Sequence, residues 1–106
     1  MYERRKYQHT NSFIRLIDFG FAIQEKQWKA SEGVGVGTID YVAPEIINKE
    51  PLNIKSDMWA VGVSVFCMLT GYTPFYREST KETVKAIKSC DYEFDPTEWS
   101  YYSKEC

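Results

Sequence analysis

A chain of 106 residues can build one small domain with a modest core, and a content of 43% hydrophobic and 16% aromatic residues suits a packed interior better than a disordered tail. The net charge of −2, with Arg4, Arg5 and Lys6 beside Glu3 as the single short basic run, excludes a patch for nucleic acid or a membrane surface. Cys67, Cys90 and Cys106 have neither CxxC pairing nor metal-ligand spacing, which argues against a disulfide framework and for a reducing, intracellular (cytoplasmic) compartment.

Met1 to Arg5 contain no apolar h-region, so no secretory signal is read there. His9 stands alone in a polar stretch and is read as solvent-exposed, not as a metal ligand. Phe13 to Ile17 form an apolar run broken once, entered from polar residues, and this predicts a strand that delivers Asp18 to its end. Asp18, Phe19 and Gly20 follow. From Phe21 to Gly37 the sequence has no period and finishes with Gly33, Gly35 and Gly37, which predicts a surface loop. Next come Gly37, Thr38, Ile39, Asp40 and Tyr41, and then Ala43, Pro44 and Glu45.

Ser56 precedes a strongly apolar block and has the chemistry of an N-cap, with Asp57 in the first turn and Gly71 as a C-terminal stop. A helix is therefore predicted over roughly 57–70. Met58 to Leu69 hold ten apolar residues in twelve positions, too short for a membrane span of about twenty but apolar around the whole circumference. Such a helix belongs at the centre of a fold, covered on every side. Pro74 ends the connection, and Ser79 with Glu82 forms a capping-box signature for a second helix through about Ser89. Val84 and Ile87 mark its apolar face, with Lys81, Lys85 and Lys88 elsewhere, so this helix is amphipathic and peripheral. Phe94, Trp99, Tyr101 and Tyr102 follow in a predicted loop too aromatic for a free linker.

The D-F-G of Asp18 to Gly20, the G-T-x-x-Y of Gly37 to Tyr41 and the A-P-E of Ala43 to Glu45, in this order and spacing, resemble the activation segment of a protein kinase. Asp57, Trp59 and Gly62 match the D-x-W-x-x-G that opens the central helix of a kinase C-lobe. The stretch KSDMWAVGVSVFCMLTGYTPF and the later ETVKAIKSCDYEFD resemble the calcium/calmodulin-dependent group, especially its myosin light chain kinase, twitchin/titin and death-associated branch. The fold class implied is mainly α, a partial kinase-like C-lobe across residues 1–106 with a short strand, the activation segment, a central buried helix and a peripheral helix.

The resemblance also implies roles. Asp18 is the carboxylate that holds Mg²⁺ for ATP, Phe19 packs beneath it in the core, and Gly20 lets the backbone turn sharply. Gly37, Thr38 and Tyr41 face the peptide substrate, and Thr38 points to serine/threonine kinases. Ala43, Pro44 and Glu45 are structural, Glu45 pairing in the family with a downstream arginine that this chain does not contain, which leaves a carboxylate that must be compensated or stay near water. Asp57, Trp59 and Gly62 are structural too, Asp57 through the backbone of the catalytic loop. Ser31 is a low-ranked site for regulatory phosphorylation.

No G-x-G-x-x-G, V-A-I-K lysine or H-R-D-L-x-x-x-N occurs, so the glycine-rich roof, the catalytic base and the second metal ligand are missing from the chain. Met1 and Tyr2 fit the end of a strand that follows the catalytic loop, and Met1 is read as an internal methionine of a longer reading frame. Two readings stand side by side. One is part of a serine/threonine kinase that uses ATP and Mg²⁺ on a protein substrate, inactive when isolated. The other is a non-catalytic docking or scaffold module around 38–45 and 79–89. Calmodulin enters only through regions outside this sequence. The isolated chain is expected to be marginally stable, with Trp59, Phe66 and Leu69 exposed.

Overall fold

The computed structural model describes residues 13–27, 37–51 and 53–103. The expectations at Met1, Tyr2, the Arg4 to Lys6 run, His9, Ser31, Gly33, Gly35 and Cys106 lie outside the described residues. Helices α1 (Pro44–Ile47), α2 (Lys55–Thr70), α3 (Thr80–Ser89) and α4 (Pro96–Trp99) carry the fold, with 3₁₀ turns at Glu25–Gln27 and Ile39–Tyr41.

The predicted strand is absent. Residues 13–19 are irregular, pair with no other described segment and are exposed throughout. An apolar run becomes a strand only when a neighbour satisfies its backbone N–H and C=O groups, and no described segment does so.

Helix α2 starts at Lys55, two residues before the predicted start, because Asn53 and not Ser56 closes its N-terminal end. The Asn53 side-chain oxygen accepts from the Lys55 N–H at 2.8 Å, and its carbonyl accepts from the Ser56 N–H at 3.0 Å. Gly71 ends the helix as predicted, at φ +87, donating to the Cys67 carbonyl at 2.8 Å. In α3 the predicted capping box is present. Ser79 Oγ accepts from the Glu82 N–H at 3.3 Å and donates to the Glu82 carboxylate at 2.8 Å.

Two apolar clusters hold these elements. Val63, Phe75, Ala86 and Ile87 make the first, with Ile39, Tyr41, Ile47 and Trp59 packed on it, so α2, α3 and the 3₁₀ turn at 39–41 meet there. Ile87 is completely buried, and full burial of a side chain of this size contributes about 1.5 to 3 kcal/mol. The second cluster is aromatic. Phe66 touches Tyr72, Phe94 and Trp99 with ring centroids 5.6 to 6.0 Å apart, and Phe94 meets Trp99 edge-on at 4.6 Å.

The aromatic tail is thus partly helical and not a plain loop. The Asp95 side chain accepts from the Thr97 N–H at 2.7 Å, Pro96 takes the first helical position, and α4 folds Trp99 back onto Phe66. Tyr102 Oη donates to the Leu69 carbonyl at 2.6 Å and Tyr72 Oη to Glu98 at 2.7 Å, fastening both ends.

The described residues cover the central helix on one side only. Ser56, Val63 and Phe66 are buried, whereas Met58, Val61, Val65 and Met68 are exposed. Exposure at Trp59, Phe66 and Leu69 is corrected as well: Phe66 is buried, Trp59 and Leu69 are half-buried. The Cα radius of gyration is 16.8 Å, against about 13 Å for a compact chain of this length.

Candidate functional site

Asp18 sits at φ +63, in the left-handed region that few residues other than glycine adopt. Its Oδ1 accepts from the Gly20 N–H at 3.2 Å, and the Phe19 carbonyl accepts from the Ala22 N–H at 3.0 Å, so a tight turn presents the carboxylate to solvent. Asp tolerates this conformation because its short side chain bonds locally. The sharp backbone is at Asp18 and not at Gly20; a Cβ at Gly20 would stand 3.3 Å from the Asp18 carboxylate. Phe19 is 69% exposed, which corrects the expectation that it packs in the core.

The second group is built on the 3₁₀ turn. Gly37 takes φ +89 and Thr38 returns to extended backbone, whose carbonyl accepts from the Tyr41 N–H at 3.1 Å. Thr38 is exposed and Tyr41 half-buried. Cys67 of α2 lies beside Tyr41, and negative charge on its sulfur holds the phenol above the ordinary tyrosine range. Asp40 accepts from Thr73 Oγ1 at 3.2 Å, a tie from the turn to the connection between α2 and α3.

Ala43 is buried at 1% exposure, and Pro44 starts α1 with its missing N–H where none is needed. Glu45 is half-buried and accepts from Ser56 Oγ at 2.5 Å. Ser56 is itself buried, so α1 and the first turn of α2 are joined by a short hydrogen bond to a carboxylate, a stronger kind than one between neutral groups.

Asp57 is exposed in the first turn of α2. Trp59 stacks on Phe75 at 5.1 Å and 11°, fixing α2 to the connection before α3. Gly62 is exposed, with nothing within 4 Å of where a Cβ would stand. It borders an apolar recess of about 260 Å³ lined by Trp59, Val63, Phe66, Phe75, Tyr92 and Phe94.

The structure thus brings Thr38, Tyr41, Ala43, Pro44 and Glu45 onto one support formed by α2 and α3. Among the described residues no hydrogen bond joins the turn at Asp18 to that support. Among the described residues no group of three or more His, Cys, Asp or Glu side chains could enclose a metal ion. A single solvent-facing carboxylate at Asp18 fits one ligand to Mg²⁺ and no more. Sequence reasoning missed three residues that build the site: Asn53, Thr73 and Cys67. Asn53 carried a signal, an Asx residue just before a helix. Thr73 and Cys67 meet their partners only through tertiary packing.

The model of the protein kinase domain family matches residues 5–106. Human death-associated protein kinase 2 is 38% identical over 91 residues, covering 86% of this chain and 24% of that relative. Human myosin light chain kinase 3 is 37% identical over 98 residues, covering 91% of this chain and 12% of the relative. The solved twitchin kinase region of C. elegans superposes with a TM-score of 0.59 at 37% identity over 61% of this chain and 12% of its own. The chain therefore spans a quarter or less of these relatives. Among the described residues no helix is long and apolar enough to cross a membrane. The match over nearly the whole chain, with D-F-G, G-T-x-x-Y and A-P-E in order, places this chain in the protein kinase domain family, as part of a C-lobe similar to the death-associated and myosin light chain kinases.

Proposed function

We propose that this chain supplies the metal-holding and substrate-facing part of an ATP-dependent serine/threonine protein kinase in the cytoplasm. The observation that carries the proposal is the anchored segment 37–45. Buried Ala43, the Ser56 to Glu45 hydrogen bond and the Thr73 to Asp40 hydrogen bond fix a short turn that leaves Thr38 exposed. A segment held from behind and open in front suits alignment of an extended peptide and its acceptor hydroxyl.

In this reading Asp18 gives one carboxylate to Mg²⁺, which neutralises charge on the phosphates of ATP. Gly37, Thr38 and Tyr41 line the path of the peptide. Ala43, Pro44, Glu45, Asp57, Trp59 and Gly62 hold that path in place. The base that accepts the hydroxyl proton, the lysine and the glycine-rich roof come from outside this sequence. Alone, the chain binds ATP and Mg²⁺ no better than millimolar and transfers no phosphate.

A chimera tests the proposal. Residues 18–103 replace the corresponding segment in the catalytic domain of death-associated protein kinase 2. The expected result is phosphorylation of a serine/threonine peptide, reduced at least about a hundredfold by Asp18→Ala. A folded chimera that binds ATP yet transfers nothing, or one indifferent to Asp18→Ala, would overturn it.

A further inference from the structure

Lys81, Lys85 and Lys88 recur along α3 at spacings of four and three residues, and all three are exposed. At 3.6 residues per turn they fall within about 60° of the helix circumference and span about 10 Å of its length. Thr83, Ala86 and Ile87 are buried on the opposite side, where Ile39 and Tyr41 pack against the core cluster. A segment docked on the lysines therefore leaves the 37–45 turn open.

Helix stability does not account for this stripe. Lys88 suits the negative end of the helix dipole, but Lys81 stands in the first turn, at the positive end, and like charges four residues apart repel. The nearby acidic groups are engaged elsewhere. Glu82, the only carboxylate within α3, accepts from Ser79 Oγ at 2.8 Å in the capping box, and Asp91 pairs with Arg77 at 3.2 Å. Among the described residues no carboxylate lies within ion-pair distance of the three lysines.

The sign of the stripe calls for an anionic occupant, and its flanks limit the width of that occupant. Glu78, Asp91 and Glu93 are exposed just before and just after α3, and the whole chain carries a net charge of −2. A bilayer surface or a nucleic-acid duplex is broad and anionic, so it would meet those carboxylates as well as the lysines. An acidic polypeptide segment is narrow enough to follow the stripe alone. When extended, it sets alternate side chains on one face about 7 Å apart, so two or three of its carboxylates fit along the lysines.

We propose that α3 is a docking face for an acidic segment of a partner protein, held by Lys81, Lys85 and Lys88. Fluorescence anisotropy of a fluorescein-labelled deca-glutamate peptide, titrated with the 106-residue chain in about 50 mM salt, tests it. Saturable binding is expected with a Kd on the order of 100 µM, weakening as salt rises. The triple variant Lys81→Gln, Lys85→Gln, Lys88→Gln should bind more than about tenfold more weakly. A control, Lys26→Gln, Lys49→Gln, Lys55→Gln, removes the same charge from exposed lysines elsewhere and should change the affinity less than about twofold. Far-UV circular dichroism shows that each variant keeps its helices. In the unsubstituted chain the peptide should shift amide resonances at 80–89 and not at 37–45. No saturation at about 1 mM, an equal loss in the control, shifts at 37–45 instead of 80–89, or lysine-dependent binding that is tighter to phosphatidylserine vesicles or duplex RNA than to the peptide would each overturn the proposal.

Discussion

Ser56 and Glu45 join the first turn of α2 to α1 through a hydrogen bond from a hydroxyl to a carboxylate. Glu45 is half-buried and accepts a hydrogen bond from Ser56 Oγ at 2.5 Å, so Ser56→Ala removes that donor and should destabilise the fold by about 1 to 3 kcal/mol. Chemical denaturation checks this, and Ser56→Thr, which keeps the hydroxyl, should recover part of the loss. Local reasoning read Ser56 as a helix cap, since serine before an apolar block has that chemistry. Its partner lies eleven positions away, where sequence periodicity cannot reach. Asp95 gives a pH-dependent case. The Thr97 backbone N–H donating to its carboxylate holds its pKa below the ordinary aspartate value. A group depressed in the folded state stabilises fully above its unfolded pKa, about 3.9, and loses that contribution as pH falls through the lower folded value. The docking of α4 should therefore weaken below about pH 4, read from the near-UV signal of Trp99, and Asp95→Asn should flatten that dependence.

At the scale of elements, helix ends and helix α3 were legible because capping chemistry is local. Gly71 shows this directly: at φ +87 with open space around it, Gly71→Ala meets no clash but must adopt a left-handed backbone. The expected loss is about 1 to 2 kcal/mol in thermal or denaturant unfolding. The strand at 13–17 and the all-round burial of α2 were not decided by sequence, because an apolar side chain states what it can bury and not what arrives to cover it. Helix α4 had a signal in Asp95 followed by Pro96, obscured by the aromatic composition around it. Phe66 links α2 to α4 and the tail through Tyr72, Phe94 and Trp99. Phe66→Ala should cost about 3 to 5 kcal/mol, enough to abolish the cooperative unfolding of a chain of marginal stability. Loss of near-UV dichroism together with a non-cooperative thermal melt would show it, and a melt like that of the wild type would contradict it.

For the whole molecule, the motifs that identify the family were readable in full, since each is a short contiguous pattern with a fixed order. The three-dimensional relation of Asp18 to the 37–45 support was not, because two segments so far apart in the chain are related only by tertiary packing, which no short pattern encodes. Few side chains are buried, and the indole N–H groups of Trp59 and Trp99 are buried without an acceptor among the described residues, each a penalty of about 1 to 3 kcal/mol. Against a typical net stability of 5 to 15 kcal/mol, the isolated chain is expected to be marginal, with slow amide exchange confined to Val63 to Leu69 and Thr83 to Ile87. These residues belong to a kinase domain but lack the motifs that supply its base, lysine and glycine-rich roof. The decisive measurement is incorporation of labelled γ-phosphate from ATP and Mg²⁺ into a basic serine/threonine peptide by the homogeneous 106-residue chain. Incorporation is expected at background; transfer above background that Asp18→Ala abolishes would show that these residues suffice for catalysis.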